Sequence, residues 1–127
     1  MDKRRILVVE DNLDSYELMR FALERSGYQT FLAVNGLDGV NAARQRVPDL
    51  IIMDLSMPIM DGWTATSLIR EDKKTSMIPV IAVTAYSQPG DRVRALNMGC
   101  NEYVTKPMNL TDLVATVNSW VSKGKVL

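Results

Sequence analysis

The sequence predicts a single α/β domain in which a parallel β-sheet is covered by helices on both faces. Three short runs are apolar at every position, as is typical of strands buried on both sides. Segments with a helical spacing of apolar residues separate these runs from each other and from two more polar candidate strands. The resulting strand–helix alternation, repeated five times, favours parallel strands joined by right-handed crossovers.

The candidate strands differ in polarity, and this difference predicts their positions in the sheet. The apolar runs are residues 6–9, 50–53 and 80–83, whereas residues 28–33 and 102–105 mix polar and apolar side chains. Apolar strands belong in the centre of such a sheet and mixed strands at its edges. The predicted strand order is therefore 2-1-3-4-5, the flavodoxin-like doubly wound arrangement.

The last helix has the clearest apolar pattern, with Asn109 as its predicted N-cap. Gly27 and Pro48 are expected to end the first and second helices, and Gly99 follows the fourth. The apolar residues that mark the five helices are, in order, Leu18, Met19, Ala22 and Leu23; Val40, Ala43 and Val47; Trp63, Leu68 and Ile69; Val93 and Leu96; and Leu110, Leu113, Val114, Val117 and Val121.

Length and charge restrict the class of protein. The 127 residues suit one domain, residues 1–127, with a core over about residues 5–121. Fifteen basic and fifteen acidic side chains cancel, so we expect no direct binding of nucleic acid over a broad basic surface. Residues 6–9 form an apolar run too short for a signal peptide or a membrane span, so no membrane insertion is expected.

Histidine and cysteine usage excludes several kinds of site. The sequence has no histidine, which removes Ser-His-Asp triads and imidazole metal ligands. The single cysteine, Cys100, cannot form an internal disulfide, and this suits a reducing compartment such as the cytoplasm. We expect Cys100 to be packed and inert, and Trp63 and Trp120 to be half-buried packing residues.

Polar side chains follow the predicted strands at the points where they end. Glu10 and Asp11 follow the first strand, Asp54 the third, Thr84 the fourth and Lys106 the fifth. Because the carboxyl ends of parallel strands share one edge of the sheet, these groups are expected to converge there. An oxygen-only cluster with few protein ligands suits Mg²⁺ better than Ca²⁺.

The predicted cluster contains the parts needed to transfer a phosphoryl group to an aspartate. A carboxylate can act as the nucleophile, while a divalent ion, a hydroxyl and an ammonium offset charge on the phosphoryl oxygens. Neither G-x-G-x-x-G nor G-x-x-x-x-G-K-[ST] occurs in the sequence, so a nucleotide is not the expected phosphoryl source.

With these motifs in place, the sequence resembles the receiver domain of two-component response regulators, the family of the chemotaxis regulator CheY. The resemblance extends over about residues 5–121, and the matching pieces are residues 6–12, 54–62, 83–85 and 103–107. It implies a signalling domain that catalyses only its own phosphorylation and slow dephosphorylation, rather than an enzyme with a separate substrate.

The resemblance implies a role for each site residue. Asp54 would accept the phosphoryl group from a phosphohistidine on a histidine kinase or a histidine phosphotransfer protein. Asp11, Asp54 and the backbone carbonyl of Ser56 would bind Mg²⁺ directly, and Glu10 would act through a bound water. Lys106 would pair with the aspartate or its phosphoryl group.

The resemblance also implies a switch. Thr84 would hydrogen-bond a phosphoryl oxygen, and Tyr103 would turn inward as Thr84 moves toward the phosphate. The change would reach a downstream protein through the face formed by the fourth helix, fifth strand and fifth helix, and a phosphorylation-dependent homodimer is a further expectation for that face. The Lys106–Pro107 bond is expected to be cis, and Tyr86 is a candidate for slowing hydrolysis.

Alternatives remain open at this point. One is a pseudo-receiver that is not phosphorylated and acts as a binding scaffold, although such domains usually lose the acidic pair, the acceptor or the lysine. Another is a flavin or other small-ligand protein on the same fold, which an acidic pocket disfavours. Residues 57–60 form an apolar loop that either packs back onto the domain or contacts the phosphodonor.

Overall fold

Five strands alternate with five helices in the computed structural model, which describes residues 3–85 and 87–123. The strands are β1 (Arg5–Val9), β2 (Gln29–Ala33), β3 (Leu50–Asp54), β4 (Val80–Thr84) and β5 (Glu102–Thr105). The helices are α1 (Leu13–Arg25), α2 (Gly36–Arg46), α3 (Gly62–Glu71), α4 (Asp91–Asn97) and α5 (Leu110–Lys123). The predicted order of elements is confirmed.

All strands are parallel, and their order is β2-β1-β3-β4-β5, as predicted. The three central strands are buried along almost their whole length. Their ends are in register: Val9 lies opposite Met53, Asp54 lies opposite Val83, and Thr84 lies opposite Thr105. This register brings the residues at the carboxyl ends of the strands to one edge of the sheet.

Two apolar layers cover the sheet. Side chains alternate along each strand, so Ile6 and Val8 face one layer while Leu7 and Val9 face the other. One layer is completed by α1 and α5, through residues such as Met19, Leu23, Leu113, Val117 and Val121. The opposite layer is completed by α2, α3 and α4, through Val40, Ala43, Ala65, Ile69 and Ala95.

The helix ends agree with the sequence signals. The Asn109 side chain accepts a hydrogen bond from the Asp112 N–H at 3.2 Å, so it is the N-cap of α5 as predicted. Gly27 has a φ of +97°, a conformation that glycine adopts without strain, and it follows the end of α1. In α2 the last turn is followed by Val47 in a left-handed conformation, directly before Pro48.

Three predicted apolar faces differ from the structure. Val47 is predicted on the apolar face of the second helix, but it follows the last residue of α2 and is 41% exposed. In α1 the buried row is Tyr16, Met19 and Leu23, whereas Leu18 is 60% exposed because it lies beside this row. In α4 only Ala95 is buried, while Val93 and Leu96 are 62% and 43% exposed. The seven residues of α4 are too few to distinguish its buried face from apolar spacing alone. Among the described residues, no helix is both long and apolar enough to cross a membrane.

Candidate functional site at the carboxyl edge of the sheet

Three carboxylates meet where β1 and β3 end. Asp54 is the last residue of β3, and Glu10 follows β1 and donates its N–H to the Ala33 carbonyl at 2.9 Å. The carboxylate oxygens of Glu10, Asp11 and Asp54 lie within 4.8 Å of one another. Glu10 and Asp54 are buried, whereas Asp11 is exposed, so the cluster opens to solvent on one side.

Lys106 brings an ammonium group to the same cluster. Its Nζ lies 2.5 Å from Glu10 Oε1 and 3.3 Å from Asp54 Oδ2. Its backbone N–H donates to the Thr84 carbonyl at 2.8 Å, and this bond fixes the end of β5 beside the end of β4. The Lys106–Pro107 peptide bond is cis in the structure.

The pKa values of Glu10 and Lys106 are both raised, the first mainly by burial and the second in spite of it. Burial raises the pKa of the Glu10 carboxyl; the hydrogen bond from Lys106 works against this, and the nearby Asp54 raises the pKa further. Burial acts to lower the pKa of Lys106, but its contacts with Glu10 and Asp54 outweigh burial, and the pKa is raised. Lys106 therefore stays charged at neutral pH.

The donor set of the cluster fits a hard divalent cation. Three carboxylates outnumber the single ammonium, so the cluster is negative when all four groups are ionised. The available ligands are oxygens, and the exposed side at Asp11 leaves room for water or phosphate ligands, which Mg²⁺ retains. Both Glu10 carboxylate oxygens already accept hydrogen bonds, from Lys106 and from the Asn12 N–H at 3.2 Å. These contacts favour an indirect role for Glu10.

Ser56, Thr84 and Tyr103 are placed around the cluster. The Ser56 N–H donates to Asp54 Oδ1 at 2.9 Å, while the proposed ligation by the Ser56 carbonyl stays a prediction. Thr84 is buried at the end of β4, next to Lys106 in the backbone ladder. Tyr103 is buried, and its hydroxyl donates to Ser87 Oγ at 3.2 Å. Its switching role stays a prediction, and Tyr86 lies outside the described residues.

The apolar loop after Asp54 is divided between core and surface. Met57 and Met60 are partly buried against the core, whereas Pro58 and Ile59 are exposed, Ile59 to 80%. The prediction that this loop packs back onto the domain is therefore confirmed for Met57 and Met60. Trp63 and Trp120 are half-buried, and Cys100 is buried, with the pKa of its thiol raised by burial.

Sequence reasoning missed one contact of this loop. The N–H of Gly36, at the start of α2, donates to the Met60 carbonyl at 2.9 Å. Asn35 precedes it as the N-cap of α2 and is buried. An Asn-Gly pair one residue after a strand is a recognisable turn signal, and it could have marked this position, although not its distant partner.

Comparison with known proteins decides the family. A family model described as the response regulator receiver domain matches residues 6–118. The chain belongs to the response regulator receiver family. The polar-differentiation response regulator DivK of Brucella anthropi is similar to this receiver, with 37% identity over 118 residues, 93% of this chain and 96% of DivK. DivK of Brucella ovis is 36% identical with the same coverage.

Solved receiver structures agree with the fold of this receiver. The receiver domain of the sensor histidine kinase PA1611 from Pseudomonas aeruginosa PAO1, with a magnesium ion coordinated in its active site cleft, has a TM-score of 0.88 and 33% identity, covering 95% of this chain and 99% of that chain. The signal receiver domain of a signal transduction histidine kinase from Syntrophus aciditrophicus has a TM-score of 0.90 and 36% identity. The match covers 98% of this chain and 94% of that chain. The resemblance seen in the sequence is confirmed, and these matches give the pseudo-receiver and flavin alternatives no support.

Proposed function

We propose that this receiver is the phosphoacceptor of a two-component or phosphorelay system and carries the phosphoryl group on Asp54. The observation that carries the proposal is the convergence of Asp54 with Glu10, Asp11 and the Lys106 ammonium in one partly open cluster. A scaffold that is never phosphorylated would have no use for buried carboxylates held together against their mutual repulsion. Phosphoryl transfer, by contrast, requires such a charged and positioned set of groups.

The proposed reaction exchanges one bond for another. An Asp54 carboxylate oxygen attacks the phosphorus of a phosphohistidine in line, the P–O bond forms, and the P–N bond breaks. The imidazole leaves and takes up a proton. Mg²⁺, held by Asp11, Asp54 and the Ser56 carbonyl with Glu10 acting through water, would supply charge neutralisation and orientation of the phosphoryl oxygens.

Lys106 and Thr84 are the groups of this chain that would contact the phosphoryl group. The ammonium lies 3.3 Å from Asp54 Oδ2, so a small shift away from Glu10 brings it to a phosphoryl oxygen. The Thr84 hydroxyl would donate to another oxygen, and Tyr103 would respond to its movement. Attack of water on the acyl phosphate would end the signal slowly. The domain would thereby hydrolyse only its own acyl phosphate.

The proposed partners follow from this chemistry. The phosphoryl donor is a histidine kinase or a histidine phosphotransfer protein, as expected of a relative of response regulators, and the encounter takes place in the cytoplasm. The output partner is a protein that binds α4, β5 and α5, where Val93 and Leu96 are exposed. A second copy of the phosphorylated chain is the alternative occupant of this face.

Transfer from a phosphohistidine tests the proposal. An isolated histidine phosphotransfer domain carrying a radiolabelled phosphoryl group would be mixed with the wild type, Asp54→Asn and Asp61→Asn in the presence of Mg²⁺. We expect label on the wild type and on Asp61→Asn, because Asn replaces Asp well as the N-cap of α3. No label is expected on Asp54→Asn. Equal labelling of Asp54→Asn, or none on the wild type with several donors, would contradict the proposal.

A further inference from the structure

The loop that follows the phosphoacceptor is closed tightly at its base. This acceptor loop comprises residues 55–61, between β3 and α3. The Gly62 N–H donates to the Leu55 carbonyl at 3.1 Å, which brings the start of α3 back to the end of β3. A Cβ at Gly62 would lie 2.3 Å from the Asp54 carbonyl oxygen, so only glycine permits this approach.

A second glycine holds the far end of the acceptor loop. The Gly36 N–H donates to the Met60 carbonyl at 2.9 Å. A Cβ at Gly36 would lie 2.1 Å from that oxygen and 2.8 Å from the Met60 carbonyl carbon. Both atoms are backbone, so a side chain at position 36 would displace the loop itself.

Asn35 fixes the direction from which Gly36 donates. Its buried side chain accepts a hydrogen bond from the Asp38 N–H at 2.8 Å and donates one to Asp38 Oδ2 at 3.1 Å. These bonds hold the first turn of α2, which is anchored on the sheet by Val40 and Ala43. The Gly36 N–H is thereby attached to a packed element rather than to a mobile turn.

The acceptor loop needs this external attachment. Ile59 has a φ of +68°, an unfavourable conformation for a β-branched residue, and its side chain is 80% exposed. The strain at Ile59 is therefore not offset by burial of its own side chain. Contacts at Met60 and Gly62 must keep the loop in shape, and the loop includes Ser56, whose N–H binds the Asp54 carboxylate.

We infer that Asn35 and Gly36 are positioning residues, which hold the Met60 carbonyl and thereby keep the Ser56 backbone in place to complete the Mg²⁺ site around Asp54. The inference rests on the proposed function, because it gives the pair a role in metal binding. The role is exerted through the acceptor loop and involves no contact with the ion or the phosphoryl group.

The test compares Gly36→Ala with Gly27→Ala in Mg²⁺ titrations of the full chain. Gly27 has a φ of +97°, which alanine disfavours, and a Cβ there would meet nothing within 4 Å, so its variant loses stability without touching the loop. We expect Gly36→Ala to bind Mg²⁺ about tenfold more weakly or worse, as for groups that orient metal ligands. Gly27→Ala should bind Mg²⁺ as the wild type does, although its Tm falls.

The outcomes separate the two proposals. Wild-type Mg²⁺ affinity in Gly36→Ala would overturn the inference and leave the proposed function intact. Absence of Mg²⁺ binding by the wild type would contradict the proposed function, and the inference would fall with it. A loss of affinity that is equal in Gly36→Ala and Gly27→Ala would assign the effect to stability and would also overturn the inference.

A measurement on the unchanged chain covers the case in which Gly36→Ala does not fold. Amide signals of Gly36 and Gly39 would be followed by NMR as Mg²⁺ is added. The Gly39 N–H donates to the Asn35 carbonyl within the same turn, so it serves as the local control. We expect the Gly36 signal to shift and the Gly39 signal to move much less. A Gly36 signal that stays in place while that of Ser56 shifts would overturn the inference.

Discussion

Lys106 is engaged with Glu10 before any phosphoryl group arrives. Its Nζ is closer to Glu10 Oε1, at 2.5 Å, than to Asp54 Oδ2, at 3.3 Å. The Glu10 contact offsets the charge of a carboxylate that is 1% exposed. Lys106 thus has two partners in the unphosphorylated site, and phosphorylation would shift its contacts toward the new negative charge.

Replacing Lys106 by alanine should separate metal binding from phosphoryl transfer. We expect Mg²⁺ binding to be retained or tightened, because a neighbouring positive charge is removed. Phosphorylation of Asp54 by acetyl phosphate should slow by about a hundredfold, the usual effect of losing one group that stabilises charge in the transition state. Mg²⁺ titration and rates at saturating Mg²⁺ would be measured, with the exposed Lys74→Ala as control. An unchanged rate in Lys106→Ala would refute the role assigned to the ammonium.

Cys100 should be chemically silent in the folded protein. The residue is 5% exposed, its thiol lies 3.9 Å from the Thr66 hydroxyl, and burial raises the pKa of the thiol. As it is the only cysteine, a thiol reagent reports on it alone. We expect no reaction in buffer near neutral pH and full reaction in denaturant. Rapid modification of the native protein would contradict the burial of Cys100 described above.

The raised pKa of Cys100 also has a consequence for stability. The folded state favours the neutral thiol, so this contribution is fully present below the usual thiol pKa of about 8.5. It is lost as the pH rises through the folded-state value, because the unfolded chain ionises first. As the pH rises from about 8 to 10, the free energy of unfolding should therefore fall less in Cys100→Ala than in the wild type. Parallel pH profiles of the two proteins would contradict this.

At the scale of elements, α4 is attached differently from the other helices. Only Ala95 is buried, and side-chain contacts supplement it: the Arg94 guanidinium lies 4.1 Å from the centre of the Trp63 ring, and Arg92 Nη1 donates to the Tyr103 carbonyl at 3.3 Å. These contacts join α4 to α3 and β5. A helix with one buried side chain and two surface arginine contacts is well suited to change position when its neighbours change.

Removing the Arg94 contact should loosen α4. We expect Arg94→Ala to lower the Tm by about 2–6 °C. The variant loses a cation–π contact worth about 0.5–1 kcal/mol and the packing of the Arg94 side chain. Trp63 fluorescence should change as well, since the guanidinium lies over its ring. Val93→Ser on the same helix is the control, because Val93 faces solvent. A larger loss in Val93→Ser than in Arg94→Ala would contradict this description of α4.

For the whole molecule, the strand–helix alternation and the continuous apolar runs were sufficient to predict the sheet. Strands buried on both faces fix which residues are central, and the carboxyl-end rule then locates Glu10, Asp11, Asp54, Thr84 and Lys106 at one edge. The strand positions depend on short apolar segments, and the placement of the polar residues depends on the shared edge at which parallel strands end. The convergence of these side chains could thus be predicted from the sequence without any knowledge of distances.

Other features could not be predicted, because they depend on contacts between separate loops. The Gly36–Met60 hydrogen bond joins the first residue of α2 to the acceptor loop, and their approach depends on how α2 and α3 pack. In α4 the small Ala95 is buried while the larger Val93 and Leu96 are exposed, and apolar spacing over seven residues does not indicate this choice. Pairing of Lys106 with Glu10 depends on side-chain geometry, which apolar patterns do not describe.

The most direct test of the account is the intact mass of the protein after incubation with acetyl phosphate. Wild type, Asp54→Asn and Asp61→Asn would be compared with Mg²⁺ and with a chelator, and each mass would be recorded soon after mixing so that a short-lived adduct is still present. The account predicts a gain of one phosphoryl group in the wild type and in Asp61→Asn, only with Mg²⁺, and no gain in Asp54→Asn. A wild type that gains no mass, or an Asp54→Asn variant that gains as much, would contradict it.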